Sequence, residues 1–285
     1  MSEIKTRLIK GVTGNGTNNL IITPSKGKRV HRVQTQMTYA LGTNTLAALM
    51  TTLTEIRVKA GTKSLWKLSG TQLRDWMLLH GTTYDFNGLP NTGAQVTFAL
   101  APEWFLDNVA DALAFNPALL GGDISIEIDC TASLTVVAYE SVSDDLDAPS
   151  AGVITLEVMK PVAGGTAFYT SNEFDARGRL IGASIYPDST NANEITPASL
   201  IVGQNDEFIW EGLSSAQNDE ALERFSLTPA ASGRSANIYD IVLVKGDALS
   251  RSVNLAAYGK AKLKIEAAAA MAGTCSVLLQ RLEQK

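Results

Sequence analysis

The chain has 285 residues, 45% of them apolar, and a formal net charge of −5. That length accommodates one large or two ordinary domains with packed cores, and so mild a charge excludes a chain built mainly to hold nucleic acid. Cys130 and Cys275 are the only cysteines, too few and too far apart for a disulfide framework or a zinc site, and both stand in apolar runs as buried free thiols.

The charge is unevenly spread. Lys5, Arg7, Lys10, Lys26, Lys28, Arg29 and Arg32 face only Glu3 within the first 32 residues, a surplus of six positive charges that leaves −11 for the remainder. Lys5, Arg7 and Lys10 are interleaved with Ile4, Leu8 and Ile9 and form a candidate membrane-facing segment, because cationic residues among apolar ones can lie on an anionic surface. The competing reading makes Arg7–Lys10 a first strand with its charges on the wet face. Residues 1–10 have no continuous apolar stretch, so no secretion signal is expected. GVTGNGTNN (11–19) has three glycines without a following helix and reads as a loop, not a phosphate cradle.

Short strands then dominate: Asn19–Thr23, Val30–Leu41, Glu55–Lys59, Ser64–Leu68, Gln95–Leu100, Asp123–Asp129 and Ser133–Val142. Glu55–Lys59 and Ser64–Leu68 flank Ala60-Gly61-Thr62 as a hairpin would. After Ser69-Gly70-Thr71, the residues Leu73, Trp76, Met77 and His80 share one face of a helix, and His80 at its end is placed to complement the dipole. A second helix is expected over Trp104–Phe115. The acidic stretch Ser143–Ser150 reads as a linker. Strands resume at Val153–Met159, Ala167–Thr170, Gly178–Tyr186, Ser199–Val202, Glu207–Trp210, Ile238–Val244, Ala261–Ala267 and Cys275–Leu282.

The halves repeat. In each, a strand ends on Trp (Trp66, Trp210), a Ser/Gly turn follows, and a helical segment comes next. His31-Arg32-Val33 lines up with Gly178-Arg179-Leu180, and SLTVVAYESV with CSVLLQRLEQ. The spacing from Trp66 to Ser133 is 67 residues and from Trp210 to Cys275 is 65. The expected fold is all-β: two tandem antiparallel sandwiches of about eight strands each, residues 1–145 and 146–285, with short helices in loops.

On this two-copy rhythm, its strand–Trp–turn–helix units at 63–80 and 207–225, and its compact sandwiches, the sequence resembles the double-jelly-roll major capsid proteins of tailless icosahedral phages, the corticovirus- and tectivirus-like group. The resemblance implies two eight-stranded jelly rolls, a homotrimer forming a pseudo-hexagonal capsomer, and assembly with neighbouring capsomers and a vertex (penton) protein into a virion shell made in the host cytoplasm. It also implies an internal membrane, whose lipids or proteins would be the target of Lys5, Arg7 and Lys10. No cofactor, no catalysis and no sequence-specific nucleic acid are implied.

The chemical alternatives are thin. His31 and His80 are the only histidines, and neither has a triad neighbour in sequence; a cupin-type metal enzyme needs clustered histidines. Asp144, Asp145 and Asp147 leave calcium open without the spacing of a known calcium loop. A secreted or tail-associated carbohydrate-binding module would use Trp66, Trp76, Trp104 and Trp210 as stacking platforms, but Trp66 and Trp76 lie in apolar patterns that point to core. A phage tail or baseplate protein is the third class left open.

Overall fold

A computed structural model describes residues 3–39, 46–80, 94–100, 112–159, 168–170, 174–187, 195–203, 205–229, 231, 234–244, 251–267 and 275–283. The chain forms two compact units, one spanning Met1–Met77 and Thr82–Ile154, the other Leu78–Gly81 and Thr155–Glu283.

The first unit is organised by one long strand. Its elements are β1 (Lys5–Leu8), β2 (Gly11–Thr13), β3 (Thr17–Thr23), β4 (Arg29–Tyr39), α1 (Leu46–Thr52), β5 (Leu53–Ala60), β6 (Lys63–Leu68), α2 (Gly70–Leu79), β7 (Ala94–Ala99), α3 (Pro117–Leu120) and β8 (Ile124–Ser143). The beginning of β8 pairs with β5 on one side and β3 on the other, and β6 and β2 extend that sheet outward. Its end pairs with β4 and β1, and β7 adds to β4. One strand therefore serves two sheets. Sequence reading makes two strands of it, Asp123–Asp129 and Ser133–Val142, with Cys130-Thr131-Ala132 between them. The structure runs straight through, because the alternation never loses phase: Ile124, Ile126, Ile128, Cys130, Leu134, Val136 and Ala138 are all buried. Each fully buried aliphatic side chain contributes about 1.5–3 kcal/mol, enough to carry the strand through Cys130-Thr131-Ala132.

The β5–β6 hairpin turns through Gly61, whose φ is +58°. A Cβ on Gly122 would stand 2.8 Å from Gly61, so the tip of this hairpin fits against the chain entering β8 only with glycine there. The glycine-rich segment 11–19 is not simply a loop. Gly11–Thr13 pairs with Ile21–Thr23, and the turn between them directs Asn15 Oδ1 to accept from Val136 N–H at 2.9 Å.

The second unit comprises the rest of β9 (Val153–Met159), β10 (Phe168–Thr170), β11 (Arg179–Tyr186), β12 (Ile195–Val202), β13 (Glu207–Trp210), α4 (Ser215–Glu223), β14 (Tyr239–Val242), β15 (Val253–Asn254), β16 (Ala261–Ala267) and β17 (Ser276–Glu283). One sheet runs β14-β11-β17-β9, with β15 also on β11; the other runs β10-β16-β12-β13. Between them lies one apolar core that draws Leu180, Ala183 and Ile185 from β11, Leu200 and Val202 from β12, Leu263 and Ile265 from β16, and Val277 and Leu279 from β17. The step from Leu180 to Ala183 breaks strict alternation because β11 is bulged at that point. This is a sandwich of two antiparallel sheets.

The units repeat in chain order, with β2 and β15 outside the match. β6-β5-β8-β3 matches β13-β12-β16-β10, and β7-β4-β8-β1 matches β14-β11-β17-β9, with the two ends of β8 standing for β16 and β17. The helix after each Trp strand begins with the same capping box. Ser69 Oγ accepts from Gln72 N–H while Gln72 Oε1 accepts from Ser69 N–H, and Ser214 and Gln217 exchange the same two bonds. Arg32 Nε donates to Ser141 Oγ at 3.1 Å, and its counterpart Arg179 donates to Ser252 Oγ at 2.6 Å. The helix expected over Trp104–Phe115 falls mostly on residues 101–111, outside the described residues. Phe115 itself bridges Val30.

Candidate functional site

The basic N-terminal segment forms β1, antiparallel to β8, with Lys5 opposite Val142 and Leu8 opposite Tyr139. Opposed residues share a face. Thr6 and Leu8 therefore lie with Ser141 and Tyr139 on the outer face, where the Thr6 and Ser141 hydroxyls are 3.1 Å apart. Lys5 and Arg7 take the other face, with Val142 and Glu140. Arg7 Nε donates to Glu140 Oε1 at 2.7 Å, and the Glu140 carboxylate is buried. Ser25 completes its shell through its backbone N–H at 2.7 Å and its hydroxyl. Arg7 thus neutralises a buried carboxylate while its own side chain stays 45% exposed. Lys5 and Lys10 are exposed, as are Ile4 and Leu8. Lys26 and Lys28 come from the β3–β4 connection; Lys28 pairs with Asp144, and with Lys5 and Arg7 beyond it holds that exposed carboxyl below its ordinary range.

Of the three residues singled out in this segment, then, Lys5 and Lys10 offer free surface charge and Arg7 is committed to the fold. No local signal identifies Glu140, whose partner lies 133 residues away.

The Ser143–Ser150 stretch is fastened to the first unit. Asn116 Nδ2 donates to the Leu146 carbonyl at 2.7 Å, and the buried Arg29 donates to the Pro149 carbonyl at 3.1 Å. Among the described residues no group of three or more His, Cys, Asp or Glu side chains is placed to hold a metal. On the outer face of β5 and β8, Arg57 binds Asp129 at 2.8 and 3.1 Å, Glu127 at 2.9 Å and Glu55, which raises its pKa, and Lys59 holds the Glu127 carboxyl down. These carboxylates are already neutralised.

His31 is buried in β4, its Nε2 3.1 Å from Ser143 Oγ. His80 does not complement the α2 dipole as a cation. Its Nε2 is sealed from solvent, and burial together with the positive charge of Arg234 pushes its pKa from 6.5 down to about 3. Because the folded value lies below the unfolded one, the unfolded chain takes up this proton first. The contribution is intact above about pH 6.5 and is lost as pH falls toward 3. Between about pH 7 and about pH 5, where carboxylates change little, the loss is about 2 kcal/mol. Replacing His80 with Gln should flatten the stability profile over that window in denaturant titrations. Equal slopes in the two proteins would show that another group titrates there.

Trp66 and Trp76 are fully buried, so neither is a stacking platform; Trp210 is half-buried, and Trp104 lies outside the described residues.

No family model matches the chain, and no curated protein matches it in sequence. Solved structures match it along its whole length. The major capsid protein P2 of bacteriophage PM2 is 15% identical, with a TM-score of 0.75 over 99% of this chain and 99% of that one. The STIV MCP is 14% identical, with a TM-score of 0.64 over 98% and 97%. The Faustovirus major capsid protein is 7% identical, with a TM-score of 0.57 over 100% of this chain and 91% of that one. These proteins have the double jelly-roll fold, and this chain has it too.

Proposed function

We propose that the chain is a structural major capsid protein. Its two jelly rolls, eight strands in each of 1–145 and 146–285, would build a homotrimeric, pseudo-hexagonal capsomer of an icosahedral virion. The observation that carries this reading is the internal repeat within a fold matched from end to end by capsid proteins. Duplication gives physical sense to the trimer. A threefold ring of two-unit chains presents six similar sides, and a heterologous contact that closes after three copies stops growth at one block. In this reading the chain has no catalytic role, and its partners are its own copies, neighbouring capsomers and a vertex protein.

Sedimentation velocity on the purified protein tests it. The expected species has three times the 30.4 kDa chain mass. A stable monomer at micromolar concentration would overturn the capsomer reading.

A further inference from the structure

Two exposed surfaces carry opposite charge, and neither is fully matched by its own unit. Residues 205–223 of the second unit, comprising β13, α4 and the link between them, hold Asp206, Glu207, Glu211, Asp219, Glu220 and Glu223 and no Lys or Arg. Lys262 takes up Asp206, and Arg224, just beyond the segment, takes up Glu220. Glu207, Glu211 and Glu223 are exposed and have no ion-pair partner among the described residues. Phe208, within this segment, and Phe225, two residues beyond it, are 53% and 47% exposed.

The first unit offers the complement. Lys5, Lys10 and Lys26 are exposed and likewise lack an ion-pair partner among the described residues, and Ile4 and Leu8 of the same N-terminal segment are 52% and 51% exposed. A half-exposed phenyl ring is poorly served by water, and aromatic anchors flanked by charge are the usual makings of a protein contact. Opposite charge steers the encounter and fixes its orientation. The two surfaces belong to different units, so a contact between copies that joins them is head-to-tail, the type that closes into a ring.

We infer that the acidic, phenylalanine-bearing β13–α4 surface of one copy docks on the basic N-terminal surface of a second copy. The inference rests on the shell reading, since it names the patches through which copies meet.

Charge reversal tests it on the full chain. One variant carries Glu207→Lys, Glu211→Lys and Glu223→Lys, another Lys5→Glu, Lys10→Glu and Lys26→Glu, and a third carries all six. All six positions are exposed, and far-UV circular dichroism verifies folding. Each one-sided variant should associate at least about tenfold more weakly than the wild type at about 0.05 M salt, and the six-fold variant should recover most of that loss. Wild-type association in both one-sided variants overturns the inference while leaving the shell reading standing. A monomeric wild type removes both. If the lysine variant self-associates normally but no longer floats with phosphatidylglycerol vesicles that the wild type binds, the basic surface meets lipid and the inference is overturned.

Discussion

Asp240→Ala is expected to lower the stability of the second unit by about 3–5 kcal/mol, because it removes the carboxylate from a buried ion pair. Asp240, on β14, is completely buried, and its carboxylate accepts from Ser184 Oγ and from Arg234 Nη2, both at 2.6 Å. Ser184, on β11, also accepts from Gln280 Nε2 of β17 at 3.4 Å, so three neighbouring strands are linked by side chains on the face away from the sandwich core. Asn218 of α4 donates to the Asp240 carbonyl at 2.9 Å and ties the helix to the same place. Arg234 is 2% exposed in its side chain and cannot turn to water when its partner is removed. Asp240→Asn keeps an acceptor for Ser184 but removes the negative charge beside Arg234, so it too should be costly. The double change Asp240→Leu with Arg234→Met removes both charges and should recover most of the loss, because much of the single-variant cost is the desolvated charge left behind. Urea denaturation of the three variants measures this. Losses under about 1 kcal/mol in both single variants would mean that the pair is hydrated.

Where a strand has one dry face, the sequence announces it. Ala261–Ala267, where Ala261, Leu263 and Ile265 are buried and alternate with half-buried residues, forms a strand over the very residues read as one. The single strand β8 is harder to see: the reading leaves Cys130 to Ala132 between two strands, and only the burial of Cys130 and Leu134 shows that the phase is kept. β1 has no dry face to mark it, since all four of its residues are exposed, and the first-strand reading of Arg7–Lys10 overlaps it only at Arg7 and Leu8; it is held by its ladder to β8 and by the Arg7–Glu140 pair. Such pairs join residues more than a hundred positions apart, and nothing in the local sequence of either partner reports the other. The capping boxes Ser69-x-x-Gln72 and Ser214-x-x-Gln217 are different. They are written in four residues each, they fall at matching points of the two units, and they strengthen the repeat beyond the two tryptophans.

Those tryptophans are equivalent in topology and unequal in environment, and their stabilities should separate accordingly. Trp66, on β6, is 1% exposed. Its indole N–H donates to the Ile154 carbonyl at 2.9 Å, and its ring meets Trp76 of α2 edge-on, with centroids 5.8 Å apart and planes at 76°. An aromatic pair in this geometry adds about 0.5–1.5 kcal/mol beyond the area it buries. Trp66→Ala removes the largest kind of side chain from a closed core and should cost about 3–5 kcal/mol. Trp66→Phe keeps an aromatic ring near Trp76 but leaves the Ile154 carbonyl without its indole donor, for a loss of about 1–3 kcal/mol. Trp210, on β13, packs against the core of its own unit from a half-buried position, so part of its ring is already in water. Trp210→Ala should therefore cost no more than about 2 kcal/mol. Denaturant titrations followed by circular dichroism rank the three changes without relying on the fluorescence of the residues removed. Equal losses at Trp66 and Trp210 would mean that the two rings are equally shielded, contrary to the environments described.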